Sequence, residues 1–234
     1  MQVLLIQHTA VDSAGVVADW IQNHGLQCTT LRLDRGDEIP STFDADVLMS
    51  FGGPQSLHMP DLPAWVEREK SLIRHFIDND RKVMGICLGA QMLASAMGAL
   101  TYRNDQPEVG WHHITKVKSA SKWSVLPKQT RVLHWHQNTF ELPDGAEHLY
   151  RSEACENQGF AIGDLAVGFQ FHPEVTERTI RHFLQVSGIV RKKATYVQTR
   201  EMIEEGVREH RERQAKWFTE FLTQWLLRGP SQSK

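Results

Sequence analysis

Four short apolar runs constrain the fold more than any other feature: VLLIQH (3–8), LQCTTLRL (26–33), ADVLMSF (45–51) and KVMGIC (82–87). Between them lie segments with helical spacing. SAGVVADWIQNHG follows the first run, with Ser13 placed to cap a helix and Gly25 to end it in a left-handed conformation. Residues 62–79 set Trp65, Leu72, Ile73 and Phe76 near helical periodicity, and LGAQMLASAMG (88–98) is a helix rich in small residues. Strand and helix alternating over short links predict a parallel sheet covered on both faces. The expected class is therefore α/β, with a doubly wound, mostly parallel sheet flanked by helices.

From about residue 100 the texture changes. GWHHITKVK, TRVLHWHQ, EHLYRS, QGFAIG and LAVGFQFH are short β-like stretches separated by turn-rich pieces such as LPDGA. They predict a small antiparallel extension and one last core strand ending at His172. TERTIRHFLQ is a helix that Thr176 can cap. A charge-rich helical segment covers about 195–227, with Ile203, Val207, Phe218, Phe221, Leu222 and Trp225 on one face. That face is expected to pack on its own domain, the alternative being a docking face for a partner or for a homodimer, and Gly206 is a candidate interruption. The domain reading is one unit over 1–190 with a helical extension over 191–234.

Bulk properties exclude several functions. A formal net charge of -2 over 234 residues gives no electrostatic case for nucleic acid or an anionic membrane. Three scattered cysteines, Cys28, Cys87 and Cys155, form neither a disulfide framework nor a CxxC metal site, which suits a reducing, cytoplasmic setting. The N-terminal apolar run lacks the basic flank and length of a signal peptide or membrane span. The run Arg191-Lys192-Lys193 reads as a solvated approach to a helix rather than a phosphate site.

The candidate chemistry gathers beyond the carboxyl ends of the predicted strands, where open α/β sheets bind ligands. G-I-C-L-G (85–89) has the form of a strand-to-helix nucleophile turn. Gly85 and Gly89 remove side chains that would collide there, and Cys87 stands at the start of a helix, where unpaired N–H groups favour a thiolate. Cys28 and Cys155 lack such a setting and read as ordinary thiols. A nucleophile needs a base and a group to orient it. In F-Q-F-H-P-E, His172 and Glu174 lie two positions apart, so an extended segment projects both to one side. Acyl transfer also needs oxyanion donors. The N–H of Leu88 is one candidate, and that of Gly53, in the GGP loop after the third run, is the other. Gln91 follows Cys87 by one helical turn. His134 and His136 share a strand face and His112-His113 lie near in sequence, but no carboxylate or cysteine with ligand spacing accompanies them, so neither a metal nor any other cofactor is expected.

The set S-F-G-G-P, G-I-C-L-G-A-Q and F-Q-F-H-P-E, in that order and extended by L-H-W-H-Q-N, L-P-D-G-A and R-S-E-A-C-E-N-Q-G-F-A-I, resembles the class I glutamine amidotransferases over about residues 1 to 185. It is most similar to stand-alone relatives of the glutaminase domain of GMP synthase. The resemblance implies a flavodoxin-like fold and a Cys87–His172–Glu174 triad that cleaves the γ-amide of glutamine through a γ-glutamyl thioester. It also implies an oxyanion hole at Gly53 and Leu88, and substrate contacts from Gln91, Trp135, His136 and Gln137. Better-known members have a small polar residue and then His-Gly where this chain has Trp135-His136-Gln137. Free glutamine and a γ-glutamyl peptide or other γ-glutamyl amide therefore both remain open as substrates. No G-x-x-x-x-G-K-[ST] loop follows His172, so any synthetase that accepts the ammonia is expected to be a separate chain. Two further readings are a regulatory subunit with little activity of its own and a cysteine peptidase on a similar sheet.

Overall fold

The computed structural model describes residues 1–117, 123–186 and 193–228. Arg191, Lys192 and the terminal GPSQSK stretch lie outside the described residues, as does the expected start of the C-terminal extension. Among the described residues, nine strands form one sheet in the order β2-β1-β3-β4-β9-β8-β7-β5-β6. Strands β1 (Gln2–Gln7), β2 (Gln27–Arg32), β3 (Val47–Ser50), β4 (Lys82–Ile86) and β9 (Ala166–Phe169) pair in parallel. Strands β5 (Thr101–Lys116), β6 (Gln129–Phe140), β7 (Glu147–Arg151) and β8 (Gly159–Ile162) extend it antiparallel, so the β8–β9 pair joins the two halves.

The runs of β1, β3 and β4 are continuous because both faces of those strands are covered, whereas β2, at the sheet edge, stays partly exposed. On β1, Val3 and Leu5 pack toward α1 (Val16–Asn23) and α5 (Arg200–Leu222). Leu4 and Ile6 pack the opposite way, toward α2 (Ala64–Asp78) and α3 (Leu88–Ala96). A third cluster joins β5 and β6 to α4 (Glu177–Val186) through Val109, Leu133, Ile180 and Phe183. Among the described residues, no helix is long and apolar enough to cross a membrane.

Helix ends show where local reading succeeds and where tertiary contact overrides it. Thr176 caps α4 as expected, its hydroxyl accepting from the Thr179 N–H at 3.2 Å. Gly25 follows α1 with φ +61°. Ser13, in contrast, does not cap α1. Its hydroxyl faces Thr179 at 3.4 Å, and the Val16 N–H donates to the Glu174 carbonyl at 2.8 Å. Gly15, at φ +51°, permits that junction, because a Cβ there would run into the Glu174 carbonyl.

Gly206 does not interrupt α5. A Cβ at this position would collide with the indole of Trp111, whose N–H donates to the Ile203 carbonyl at 3.1 Å, so the glycine lets the helix lie directly on β5. The aromatic face of α5 carries Phe218 and Phe221 into the core beside Phe169. Gly206→Ala sets a helix-propensity gain of about 1 kcal/mol against overpacking of about 1–3 kcal/mol. Trp111 is 1% exposed and cannot swing aside, so the second term wins. Chemical denaturation of Gly206→Ala is expected to show a net loss of stability.

Candidate active site

Cys87 occupies the turn between β4 and α3 with φ 53° and ψ -106°, a positive φ that is uncommon outside glycine. Backbone hydrogen bonds fix it from three directions. The Cys87 N–H donates to Phe169 O at 2.8 Å, the Gly89 N–H to Phe51 O at 3.1 Å, and the Gln91 N–H to Cys87 O at 3.1 Å. A Cβ on Gly85 would strike the Gly89 carbonyl, and one on Gly89 would strike the Ser50 carbonyl. The two glycines thus let β3, β4 and α3 approach closely enough to present the thiol.

His172 lies three residues past the end of β9, its N–H held by the Leu133 carbonyl at 2.8 Å. Its Nδ1–H donates to Glu174 Oε1 at 2.8 Å, which leaves Nε2 for the Cys87 sulfur within hydrogen-bonding reach. Burial lowers the affinity of the His172 ring for a proton, but the charges of Glu174 and the Cys87 sulfur outweigh it and raise the pKa well above 6.5. Gln214 of α5 secures this segment. Its amide N–H donates to the His172 carbonyl at 3.0 Å, while its oxygen accepts from the Leu133 N–H at 2.9 Å.

A cavity of about 650 Å³ opens over the thiol, and Gly53, Cys87, Gln91, Trp135, His136 and Gln137 all line it. His172 and Glu174 sit behind it, almost wholly buried. A Cβ on Gly53 would meet the Leu88 side chain, so the two residues expected to supply the oxyanion donors are neighbours. The Gln91 amide donates to Gln170 at 3.1 Å and its buried oxygen has no partner. Trp135 packs on Phe183 with ring centroids 5.1 Å apart, and Gln137 donates to the Asn104 carbonyl at 3.0 Å.

Several contributors were missed by sequence reasoning. His8, at the end of β1, faces two acceptors: Nδ1–H donates to the Gly52 carbonyl at 3.1 Å and Nε2–H to Glu69 at 2.8 Å. Ser50 donates to the other Glu69 oxygen at 2.5 Å. In a trans peptide the N–H points opposite to the carbonyl, so drawing Gly52 O toward His8 turns the Gly53 N–H the other way. A signal existed, because Glu69 interrupts the buried stripe Val66, Leu72, Ile73 and Phe76 of α2.

The ground for expecting no metal, that His134 and His136 lack a carboxylate, also fails. Antiparallel pairing sets Glu108 of β5 opposite His136, and the carboxylate lies 3.2 Å from His136 Nε2 and 3.8 Å from His134 Nδ1. Burial would raise the Glu108 pKa, but His134 and His136 bring it down to about 2. Burial drives His134 to about 3. Cys155 donates to Thr139 at 3.2 Å, and burial pushes its thiol up to about 12, the profile of an inert thiol.

Comparison with known proteins bears on this geometry. Residues 14–189 match a family described as glutamine amidotransferase class-I. The chain is 31% identical to the glutamine amidotransferase-like protein YfeJ of Salmonella typhimurium, over 80% of this chain and 81% of that one. It is 30% identical to a glutamine-hydrolysing GMP synthase subunit from Natronomonas pharaonis, over 73% and 81% of the two chains. A crystal structure of a glutamine amidotransferase from Methylobacillus flagellatus superposes with TM-score 0.88 at 28% identity, covering 100% of this chain and 96% of that one. One from Thermotoga maritima superposes with TM-score 0.84 at 28% identity, covering 97% and 98%.

The buried His8–Glu69 pair gives a pH signature. Burial lowers the His8 pKa, but the charge and hydrogen bond of Glu69, the Gly52 carbonyl and the charge of Asp12 outweigh it, so the folded value is raised above 6.5. A raised value contributes stability that is fully present below pH 6.5 and is lost as pH rises through the folded value. His8→Gln is therefore expected to destabilise the protein by about 3–5 kcal/mol at pH 6. The penalty should shrink in alkaline solution, read by denaturant titration at several pH values.

Proposed function

Because the chain belongs to the class I glutamine amidotransferases, we propose that it hydrolyses the γ-amide of glutamine with Cys87 as nucleophile. The observation that carries this reading is the single line of contacts from Glu174 through His172 to the thiol, ending at the floor of the cavity. The Cys87 thiolate attacks the side-chain carboxamide carbon, and the N–H groups of Gly53 and Leu88 hold the oxyanion. As the C–N bond breaks, His172 gives its proton to departing ammonia, and Glu174 keeps the imidazole oriented. Water then loses a proton to His172, attacks the γ-glutamyl thioester and releases glutamate, and the thiol returns. Gln91, Trp135, His136 and Gln137 border the part of the substrate that carries the α-amino and α-carboxylate groups. Ammonia leaves to water or to a separate synthetase chain.

A second substrate reading has a specific observation behind it. A cavity of about 650 Å³ lies in the range of about 300–1,000 Å³ that accepts ligands larger than one amino acid. Arg103 and His58 reach its lining beyond the thiol. These features favour a γ-glutamyl peptide or another γ-glutamyl amide, which presents the same scissile bond.

Ammonia release from glutamine by the purified chain tests the chemistry. Cys87→Ala is expected to fall to background, and Glu174→Gln to lose about 10³–10⁴-fold in kcat while still folding. Equal release from wild type and Cys87→Ala would sink the thioester mechanism. Comparing kcat/KM for glutamine with that for γ-glutamyl dipeptides separates the two substrates. The leading reading expects glutamine to be favoured, and a reversed ratio makes the peptide the substrate.

A further inference from the structure

On the cavity wall sits a cluster of which the proposed reaction uses only His136, as a substrate contact, and leaves Glu108 and His134 without a part. Glu108 on β5 and His134 and His136 on β6 are buried together, none more than 4% exposed. Glu108 Oε2 is 3.2 Å from His136 Nε2 and 3.8 Å from His134 Nδ1, and the two ring nitrogens are 3.5 Å apart. Ligands bound tetrahedrally at about 2.0–2.2 Å stand about 3.4 Å from one another. The triangle therefore matches one face of such a tetrahedron with little rearrangement. We propose that Glu108, His134 and His136 bind a divalent transition-metal ion of the zinc class.

Hydrogen bonding within the cluster points the same way. His136 Nδ1 faces the Asn138 carbonyl at 3.1 Å, which fixes the ring proton there. When the ring carries only that proton, the Nε2 lone pair is aimed at a carboxylate oxygen, a contact between two acceptors. A cation between them turns that repulsion into two ligand bonds. The Nδ1–H to carbonyl bond is also the outer contact that metal-bound histidines commonly make. A second proton on His136 would relieve this one contact, yet it would do nothing for Glu108 Oε1 or Gln158 Oε1, both buried without a partner.

Gln158 can complete the set. Its amide nitrogen lies 2.5 Å from Glu108 Oε2 and 3.4 Å from His136 Nε2, with the Ser152 hydroxyl 3.1 Å away. Turning the amide over brings the unpartnered oxygen to that position, facing the metal, while the Ser152 O–H keeps its bond to the Cys155 carbonyl. Two imidazole nitrogens with carboxylate and amide oxygens form a borderline donor set that suits zinc better than magnesium or calcium. His136 lines the cavity, which supplies the route from solvent. The ion would tie β5, β6 and the segment before β8 into one rigid wall.

The test reads binding rather than turnover, so it stands or falls separately from the glutaminase reading. The Cys87→Ala chain, used so that the nucleophile does not compete, is stripped with chelator and titrated with Zn²⁺ by calorimetry. Parallel samples take Co²⁺ and are read by visible absorption. One Zn²⁺ per chain and a tetrahedral Co²⁺ spectrum are expected, with binding at least about 100-fold weaker after Glu108→Gln. His134→Phe is the second variant. It keeps a ring against Phe171, whose centroid is 6.0 Å away, while removing the ligand nitrogen. The proposal is overturned by the absence of saturable binding, by unchanged binding in either variant that melts as the parent does without metal, or by nitrogen NMR showing His136 protonated at both ring positions in the presence of equimolar Zn²⁺.

Discussion

The backbone at Cys87 is the constraint around which the molecule is arranged. A non-glycine residue held at φ 53° and ψ -106° costs about 1–3 kcal/mol, and it persists only where its surroundings leave no alternative. Here Phe51, just past β3, and Phe169 of β9 accept hydrogen bonds on either side of the turn, and the missing side chains of Gly85 and Gly89 let the strands and α3 close onto each other. The four apolar runs and their helices provide the burial that offsets this strain. The parallel half of the sheet thus acts as a clamp on one residue.

A second tier of buried polar groups holds the parts that meet at the thiol. His8 and Glu69 link the ends of β1 and β3 to α2 and fix the Gly52 carbonyl. Gln214 links α5 to the His172 segment and to β6. The Glu174 carbonyl receives the first N–H of α1. Each contact spans elements far apart in sequence, and each leaves a buried donor or acceptor orphaned if one partner is lost, at about 1–3 kcal/mol apiece. Positioning in this protein is therefore done by the same bonds that make the core specific. This explains why α5, beyond the end of the family match at residue 189, belongs structurally to the site.

Legibility in the sequence followed the range of the interactions. The alternating elements, the turn at Cys87, the Thr176 cap and the pairing of His172 with Glu174 depend on spacings of a few residues, and these were readable. Ser13 failed as a cap and Gly206 failed as a helix break because a distant partner, Glu174 in one case and Trp111 in the other, decides the outcome. Glu108 was unreadable for the same reason. Nothing near His134 in sequence announces a carboxylate, since it arrives across an antiparallel ladder whose register shifts between Arg103 and Glu108.

That register governs the wall of the cavity that the β5–β6 hairpin forms. Side chains alternate along β6, so His134 and His136 point together toward Glu108, while Leu133 and Trp135 pack the other way against the Phe183 cluster of α4. A slip of one residue would exchange the two sets. It would bury an indole beside a carboxylate and leave imidazoles against Phe183, so both layers oppose it at once. The irregularity in β5 absorbs the mismatch within the hairpin and lets Glu108 meet His136 without disturbing the pairs from Val109 to Thr115. The parallel half fixes where the Cys87 thiol stands, and the antiparallel half shapes the cavity over it. Changes in that hairpin can therefore reshape the cavity while the turn at Cys87 stays as it is.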